Sequence, residues 1–191
     1  MGKGYCAIAS SDFWHARYHD REYGFPIRSD RCLFERLALE INQAGLSWLA
    51  ILKKRKGLRR AFEGFAPEVV ARYGARERRR LLADAGIIRN RLKVDAVIEN
   101  ARRILLLRES HGSFARWLDA HSPSGGTSGA SCSATPSFTG GEIVGEFLIS
   151  TGYLPGAHER GCPIYARVEG RNPPWRKTLG AIGPRRRRPA P

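Results

Sequence analysis

Two helical patterns separated by one glycine constrain this chain more than any other feature. From Asp30 the apolar residues Leu33, Phe34, Leu37, Ile41 and Ala44 recur at helical spacing, with Asp30 placed as N-cap and Gly45 just past the end. Ser47 can cap a second helix from Trp48 to Lys56, closed by Gly57, and its basic residues Lys53, Lys54, Arg55 and Lys56 suit the negative end of the helix dipole. Residues 67–85 read as a further helical stretch, and GIIRNR then breaks the pattern. Val94, Val97, Ile98, Ala101, Ile104 and Leu105 predict a long helix starting near Asn90, and Ile143, Val144, Phe147 and Leu148 predict another. No strand-like alternation competes, so the fold class is mostly α.

Residues 1–169 read as one domain. Within it, HSPSGGTSGASCSATPS, from 121 to 137, has the composition of a flexible loop that cannot bury a core. Residues 170–191, rich in Pro and carrying four consecutive arginines, read as a disordered basic tail. The chain has 33 Lys+Arg against 18 Asp+Glu, a net charge of +15, and only six of the basic residues are lysine. The planar fork of arginine suits phosphate, so the expected partner is nucleic acid rather than membrane. No apolar run is long enough to span a membrane and no leader precedes the first helix, which predicts a cytoplasmic protein. Four dispersed cysteines, Cys6, Cys32, Cys132 and Cys162, are expected as thiols or metal ligands, with Cys32 in the apolar run of its helix.

Three groups of residues carry chemistry. Glu40 falls about 20° from Leu33 on a helical wheel, at the edge of the apolar stripe, whereas Glu35 falls about 200° away and is expected to face water. A carboxylate at a core edge is unfavourable unless paired, so Glu40 is either an ion-pair partner of Arg36 or another arginine, or a functional group. Trp48 can lie over the same cleft or belong to the core. In GIIRNRLK, Gly86 opens a turn and Asn90 can cap the next helix. The free N–H groups there, with Arg89, Arg91 and Lys93, would hold a phosphate, in the manner of a helix-hairpin-helix anchor. Cys6, His19, His158 and Cys162 have the composition of a tetrahedral zinc site, although their spacing equally suits buried thiols and unrelated histidines.

The blocks YHDREYG (18–24), LFERLALEINQAGLSW (33–48), LKKR (52–55), DAGIIRNRLKVDAVIENAR (84–102) and STGYLPGAHERGCP (150–163) resemble, in order, the bacterial DNA-3-methyladenine glycosylase I family of the helix-hairpin-helix superfamily. The resemblance implies a helix-hairpin-helix glycosylase fold with a zinc-stapled lobe formed by the two chain ends, the ion held by Cys6, His19, His158 and Cys162. It further implies hydrolytic removal of N3-methyladenine flipped out of duplex DNA, with Glu40, Tyr18 and Trp48 recognising the base. Gln43 and Leu46, flanking Ala44-Gly45, would fill the gap in the stack. The family pattern has tryptophans where Ile8 and Tyr23 stand, so one pocket wall is less aromatic. No obligate protein partner is expected, and the protein should act as a monomer.

N3-alkylation makes adenine cationic, so a desolvated Glu40 would favour it over the normal base while Trp48 stacks on it. Flipping costs a few kcal/mol, roughly what one charged hydrogen bond and one stacked base return. Net affinity then depends on the backbone: neutralising about four phosphates through residues 86–93 and 53–56 gives a salt slope near −3.6. Two other readings share the composition: a noncatalytic helix-hairpin-helix DNA-binding module, and a basic RNA-binding protein, which leaves Glu40 and Trp48 unexplained.

Overall fold

A computed structural model describes residues 4–121 and 141–181. Among these, every regular element is helical. The loop predicted over 121–137 lies, after His121, outside the described residues, and so do the four tail arginines.

Helices α1 (Tyr5–Ala9) and α2 (Phe13–Arg21) lead into α3 (Asp30–Gln43), the central helix, followed by α4 (Trp48–Ala61). Two short helices, α5 (Pro67–Val70) and α6 (Ala75–Ala83), precede the long α7 (Arg91–His111) and α8 (Phe114–His121). After the undescribed residues come α9 (Gly141–Ser150), α10 (Pro163–Glu169) and α11 (Pro174–Ala181). Leu33, Phe34, Leu37 and Ile41 of α3 pack against Ile51 and Leu58 of α4, Val97, Ile98 and Ala101 of α7, Phe114 of α8, and Phe147 of α9 in one continuous core.

Because α4, α7, α8 and α9 surround it, α3 is buried from Leu33 to Asn42 on every side. A helical wheel assumes one wet face, and α3 has almost none. Glu35 therefore does not face water: it is buried and accepts from Arg55 Nε and from Arg59 Nε and Nη2, all at 2.7 Å. Cys32, expected in the apolar run, lies in the exposed first turn instead.

The ends of the elements also differ from the sequence reading. Ser29 holds the cap position of α3, and Asp30 instead accepts from Ala115 N–H at the start of α8 (3.1 Å) and pairs with Arg108 (3.2 Å). Helix α4 continues through Gly57. A Cβ there would meet the Gly86 carbonyl oxygen at 2.3 Å, so this glycine permits close packing of the α6–α7 turn rather than ending a helix. The stretch 67–85 is broken between Val70 and Ala75, where Tyr73 is buried and the Glu77 side chain accepts from Gly74 N–H (2.8 Å). Asn90 caps α7 as expected, accepting from Lys93 N–H at 3.1 Å, and Gly112 ends it in the left-handed region (φ 80°). The tail does not begin at residue 170. Pro174 sits in the first turn of a helix, where its fixed φ is favourable, and Trp175 is buried and donates its N–H to Gly152 O (3.3 Å).

Candidate active site

A cavity of about 750 Å³ opens between α1, α2, the α3–α4 junction and α9. Tyr5, Tyr18, Tyr23 and Trp48 form its aromatic wall, and Ile8, 46% exposed, stands at its edge. The Tyr18 ring meets Trp48 edge-on at 5.1 Å and Tyr23 at 5.7 Å, while Tyr5 lies 4.9 Å from Tyr23. Three glutamates, Glu40, Glu142 and Glu146, line the cavity, and among the described residues no lysine or arginine does. In a chain of +15, that is the opposite of the average surface, and it makes the pocket a place for a cation.

Glu40 is 3% exposed and, among the described residues, its carboxylate makes no hydrogen bond or ion pair. The expected alternative partner, Arg36, is engaged elsewhere: it donates to the Tyr18 hydroxyl, pairs with Glu22 at 3.1 Å, and lies 4.6 Å over the Tyr18 ring. Burial pushes the Glu40 carboxyl up to about 8, with Arg36 opposing and Glu146 reinforcing the shift. Burial likewise holds the Tyr5, Tyr18 and Tyr23 phenols above their ordinary range, so all three stay neutral near pH 7. Their hydroxyls are committed to protein: Tyr5 to His15 Nδ1 (2.9 Å), Tyr18 to Arg36, and Tyr23 as donor to Glu146 (2.8 Å). The rings are thereby fixed, and the pocket presents aromatic surface and carboxylates. Trp48 Nε1 is buried without a hydrogen-bond partner among the described residues.

Tyr5 and Glu146 were not anticipated. Tyr5 was hidden beside Cys6, which drew attention as a ligand. Glu146 occupies the polar face of an amphipathic helix, where an acid is ordinarily solvated; only the fold brings α9 to Tyr23 across 123 residues.

At the pocket rim, Gly45 has φ 75° with open space around its Cα, and Leu46 is 39% exposed. Gln43 donates to Leu46 O at 3.2 Å, which ties these two expected wedge residues into one turn. Lys93, expected among the phosphate-facing residues, is engaged by main-chain oxygens in this structure. Its ammonium donates to Asn42 O and Ala44 O, both at 2.7 Å, because the last carbonyls of α3 have no partner within the helix. Burial accordingly lowers its pKa. Arg89 is exposed, and so is Arg91, which reaches Asp95 at 3.7 Å. The Gly86 amide is taken by Asp84 Oδ1 (2.7 Å). In the basic run of α4, Lys54 donates to Ala85 O (2.9 Å) and Arg55 bridges Glu22 and Glu35, which leaves Lys53 and Lys56 as its exposed cations.

Cys6, His19, His158 and Cys162 converge, with all ligand atoms within 4.8 Å of one another, and can hold a metal ion. Cys6 Sγ lies 3.4 Å from His19 Nε2 and 3.7 Å from His158 Nδ1; Cys162 Sγ lies 3.7 and 3.8 Å from the same atoms; the two nitrogens are 3.1 Å apart. The other ring nitrogens are held by Asp20 Oδ1 and Tyr23 O, both at 2.8 Å, as outer partners of metal-binding histidines are. The Tyr23 carbonyl joins this cluster to the pocket wall.

The methyladenine glycosylase family model matches residues 8–134. The chain is similar to the DNA-3-methyladenine glycosylase 1 of Escherichia coli (strain K12), 42% identical over 113 residues, which is 59% of this chain and 60% of that protein. It is 38% identical over 101 residues to the DNA-3-methyladenine glycosylase of Haemophilus influenzae (strain ATCC 51907 / DSM 11121 / KW20 / Rd), covering 53% of this chain and 55% of the relative. Both sequence matches thus span under two thirds of the relatives' length. A structure of 3-methyladenine DNA glycosylase I from Staphylococcus aureus superposes with a TM-score of 0.74 at 30% identity, covering 84% of this chain and 95% of that one. A variant of 3-methyladenine DNA glycosylase I in complex with 3-methyladenine superposes equally well, covering 84% and 96%.

Proposed function

Since the chain belongs to the methyladenine glycosylase family, we propose that it excises 3-methyladenine from alkylated duplex DNA by hydrolysing the N-glycosidic bond. One observation carries this reading: a buried carboxylate without a partner among the described residues, in an aromatic cavity lined by three acids, inside a chain of strongly positive charge. Normal bases are neutral, and the N3-alkylated base attached to deoxyribose is a cation. Selectivity follows from that difference.

The base enters flipped from the duplex. Its positive charge favours ionised Glu40, so binding drives the proton off this acid, and the carboxylate then accepts from the exocyclic amine. Trp48 and Tyr18 supply π surface to a cation. Bond cleavage sends the C1′–N9 electron pair onto the base, which leaves neutral and needs no general acid. The positive charge that develops on the sugar faces the same acidic wall, water adds to C1′ and loses a proton, and an abasic site remains. Glu146 adds negative potential and, through the Tyr23 hydroxyl, holds that ring in the pocket wall.

We read Cys6, His19, His158 and Cys162 as a zinc site. Tetrahedral bonds of about 2.3 Å to sulfur and 2.0–2.1 Å to nitrogen give ligand–ligand edges of roughly 3.3–3.8 Å, close to the spacings given above. The ion is structural, joining α1 and α2 to the segment before α10. The α6–α7 turn serves as the helix-hairpin-helix anchor through Arg89, Arg91 and the start of α7, and Leu46 with Gln43 enters the stack. The protein acts as a monomer in the DNA-containing compartment. The deciding experiment is release of 3-methyladenine from methylated duplex by metal-loaded protein. Release is expected for the wild type, and its absence from folded, metal-loaded protein overturns the reading.

A further inference from the structure

A second cleft, of about 490 Å³, lies between the end of α2, the segment that follows it and the end of α10. Its lining is Arg21, Phe25, Pro26, Arg28, Arg167, Arg171 and Asn172: four guanidinium-bearing residues and, among the described residues, no carboxylate. Only one of the four is neutralised, Arg28, whose Nη1 donates to both oxygens of Asp119 at 2.6 and 2.7 Å. Arg21, Arg167 and Arg171 have no ion pair among the described residues. Arg167 lies over the Phe25 ring, 5.9 Å from its centroid, and a fifth guanidinium, that of Arg176, reaches Asn172 Oδ1 at the rim (3.5 Å).

Like charges gathered at one concavity raise its potential, and the field is focused by the apolar floor of Phe25 and Pro26. Two of the guanidinium groups are already oriented, Arg28 by Asp119 and Arg167 by Phe25, so binding need not order all four side chains. Arginine forks match the oxygens of phosphate in pairs. The cleft is distinct from the acidic pocket: on α2, Tyr18 lines one and Arg21 the other, and Tyr23 and Phe25 divide in the same way.

We propose that this arginine cleft is a phosphate-binding site, separate from the base pocket, that takes either a backbone phosphate of nucleic acid or a free oligophosphate. The proposal does not depend on base excision. Two exposed arginines are changed together, Arg167→Ala with Arg171→Ala, and compared with a charge-matched control, Arg72→Ala with Arg116→Ala, also exposed. Tripolyphosphate is titrated calorimetrically into the full, metal-loaded chain, and binding of undamaged duplex is followed against salt. The cleft variant should bind tripolyphosphate at least tenfold more weakly, with the control unchanged. If the site meets the DNA backbone, its log–log salt slope also falls by about 1.8, two phosphate contacts at 0.9 each. An unaltered slope with tripolyphosphate binding lost assigns the site to a free oligophosphate. The proposal is overturned if the wild type does not bind tripolyphosphate and the slope is unaltered, or if the control weakens both interactions as much as the cleft variant.

Discussion

Replacing Glu40 by glutamine should make the protein more stable and less active, and the gain should depend on pH in a defined way. The unfolded chain titrates this acid near 4.5 and the folded chain near 8. Between those values the folded state binds more protons than the unfolded one, so wild-type stability is greatest below 4.5 and declines as pH rises through 8. At about 1.4 kcal/mol per unit, the loss reaches about 3 kcal/mol at pH 7 and about 5 kcal/mol above pH 8. Glutamine does not titrate. Its buried amide carries a constant desolvation cost of about 1–3 kcal/mol, but that cost does not vary with pH. Urea denaturation of wild type and Glu40→Gln at pH 5, 7 and 9 should therefore show a stability difference that moves in favour of the variant at each step. For a chain of this length, 3 kcal/mol corresponds to roughly 6–12 °C in Tm. Duplex binding should persist in Glu40→Gln while base release falls. A stability difference that is flat across pH would show that the carboxyl ionises normally, and the account of charge selection would fail with it.

Glu146→Gln should move the low-pH limb of base release to lower pH, because the neighbouring negative charge helps to hold the Glu40 carboxyl up; a limb that stays in place would leave Glu146 without a role in the pocket. Cys162→Ala should lower both bound metal and stability, read by metal analysis and denaturation of the same sample; full retention of metal contradicts the four-ligand assignment. Lys93→Met removes an ammonium that donates to two carbonyls at 2.7 Å, which should cost about 1.5–3 kcal/mol for each charged hydrogen bond. The salt slope of duplex binding should not change, since this cation is held by two main-chain carbonyls; a slope reduced by about one unit would return Lys93 to the phosphate contacts.

Much of the fold was legible because its signals are local. Apolar spacing located α3, α7 and α9, Ser47 and Asn90 capped the helices they were expected to cap, and Gly45 marked the junction that forms the pocket rim. Glu40 and Trp48 could be singled out because an acid at a core edge and a nearby indole are each unusual. What could not be read depended on distant contacts. Gly57 resembles a helix stop in sequence but packs against Gly86, the carbonyls that Lys93 meets at the end of α3 have no local signal, and Glu35 resembles a surface acid on a helix that has almost no surface. Trp175 was assigned to a disordered tail because composition outweighed the one aromatic residue that docks.

The same non-local contacts explain why Glu40 remains without a partner among the described residues of so arginine-rich a chain. Arg36 is one turn from Glu40 on α3 and would be its natural counterion. It is held instead by Glu22, and Glu22 also takes Arg55, which bridges to Glu35, which in turn takes Arg59. Two acids thus absorb three arginines in a continuous ladder along one flank of α3 and α4. Removing one partner of such a part-buried network leaves an uncompensated charge at its buried member, here Arg36. Glu22→Gln should therefore weaken the pocket without touching it: freed from Glu22, Arg36 is expected to turn towards Glu40 and neutralise it, so base release should fall and the loss of stability at high pH should shrink, and unchanged release with an unchanged pH dependence of stability would refute this.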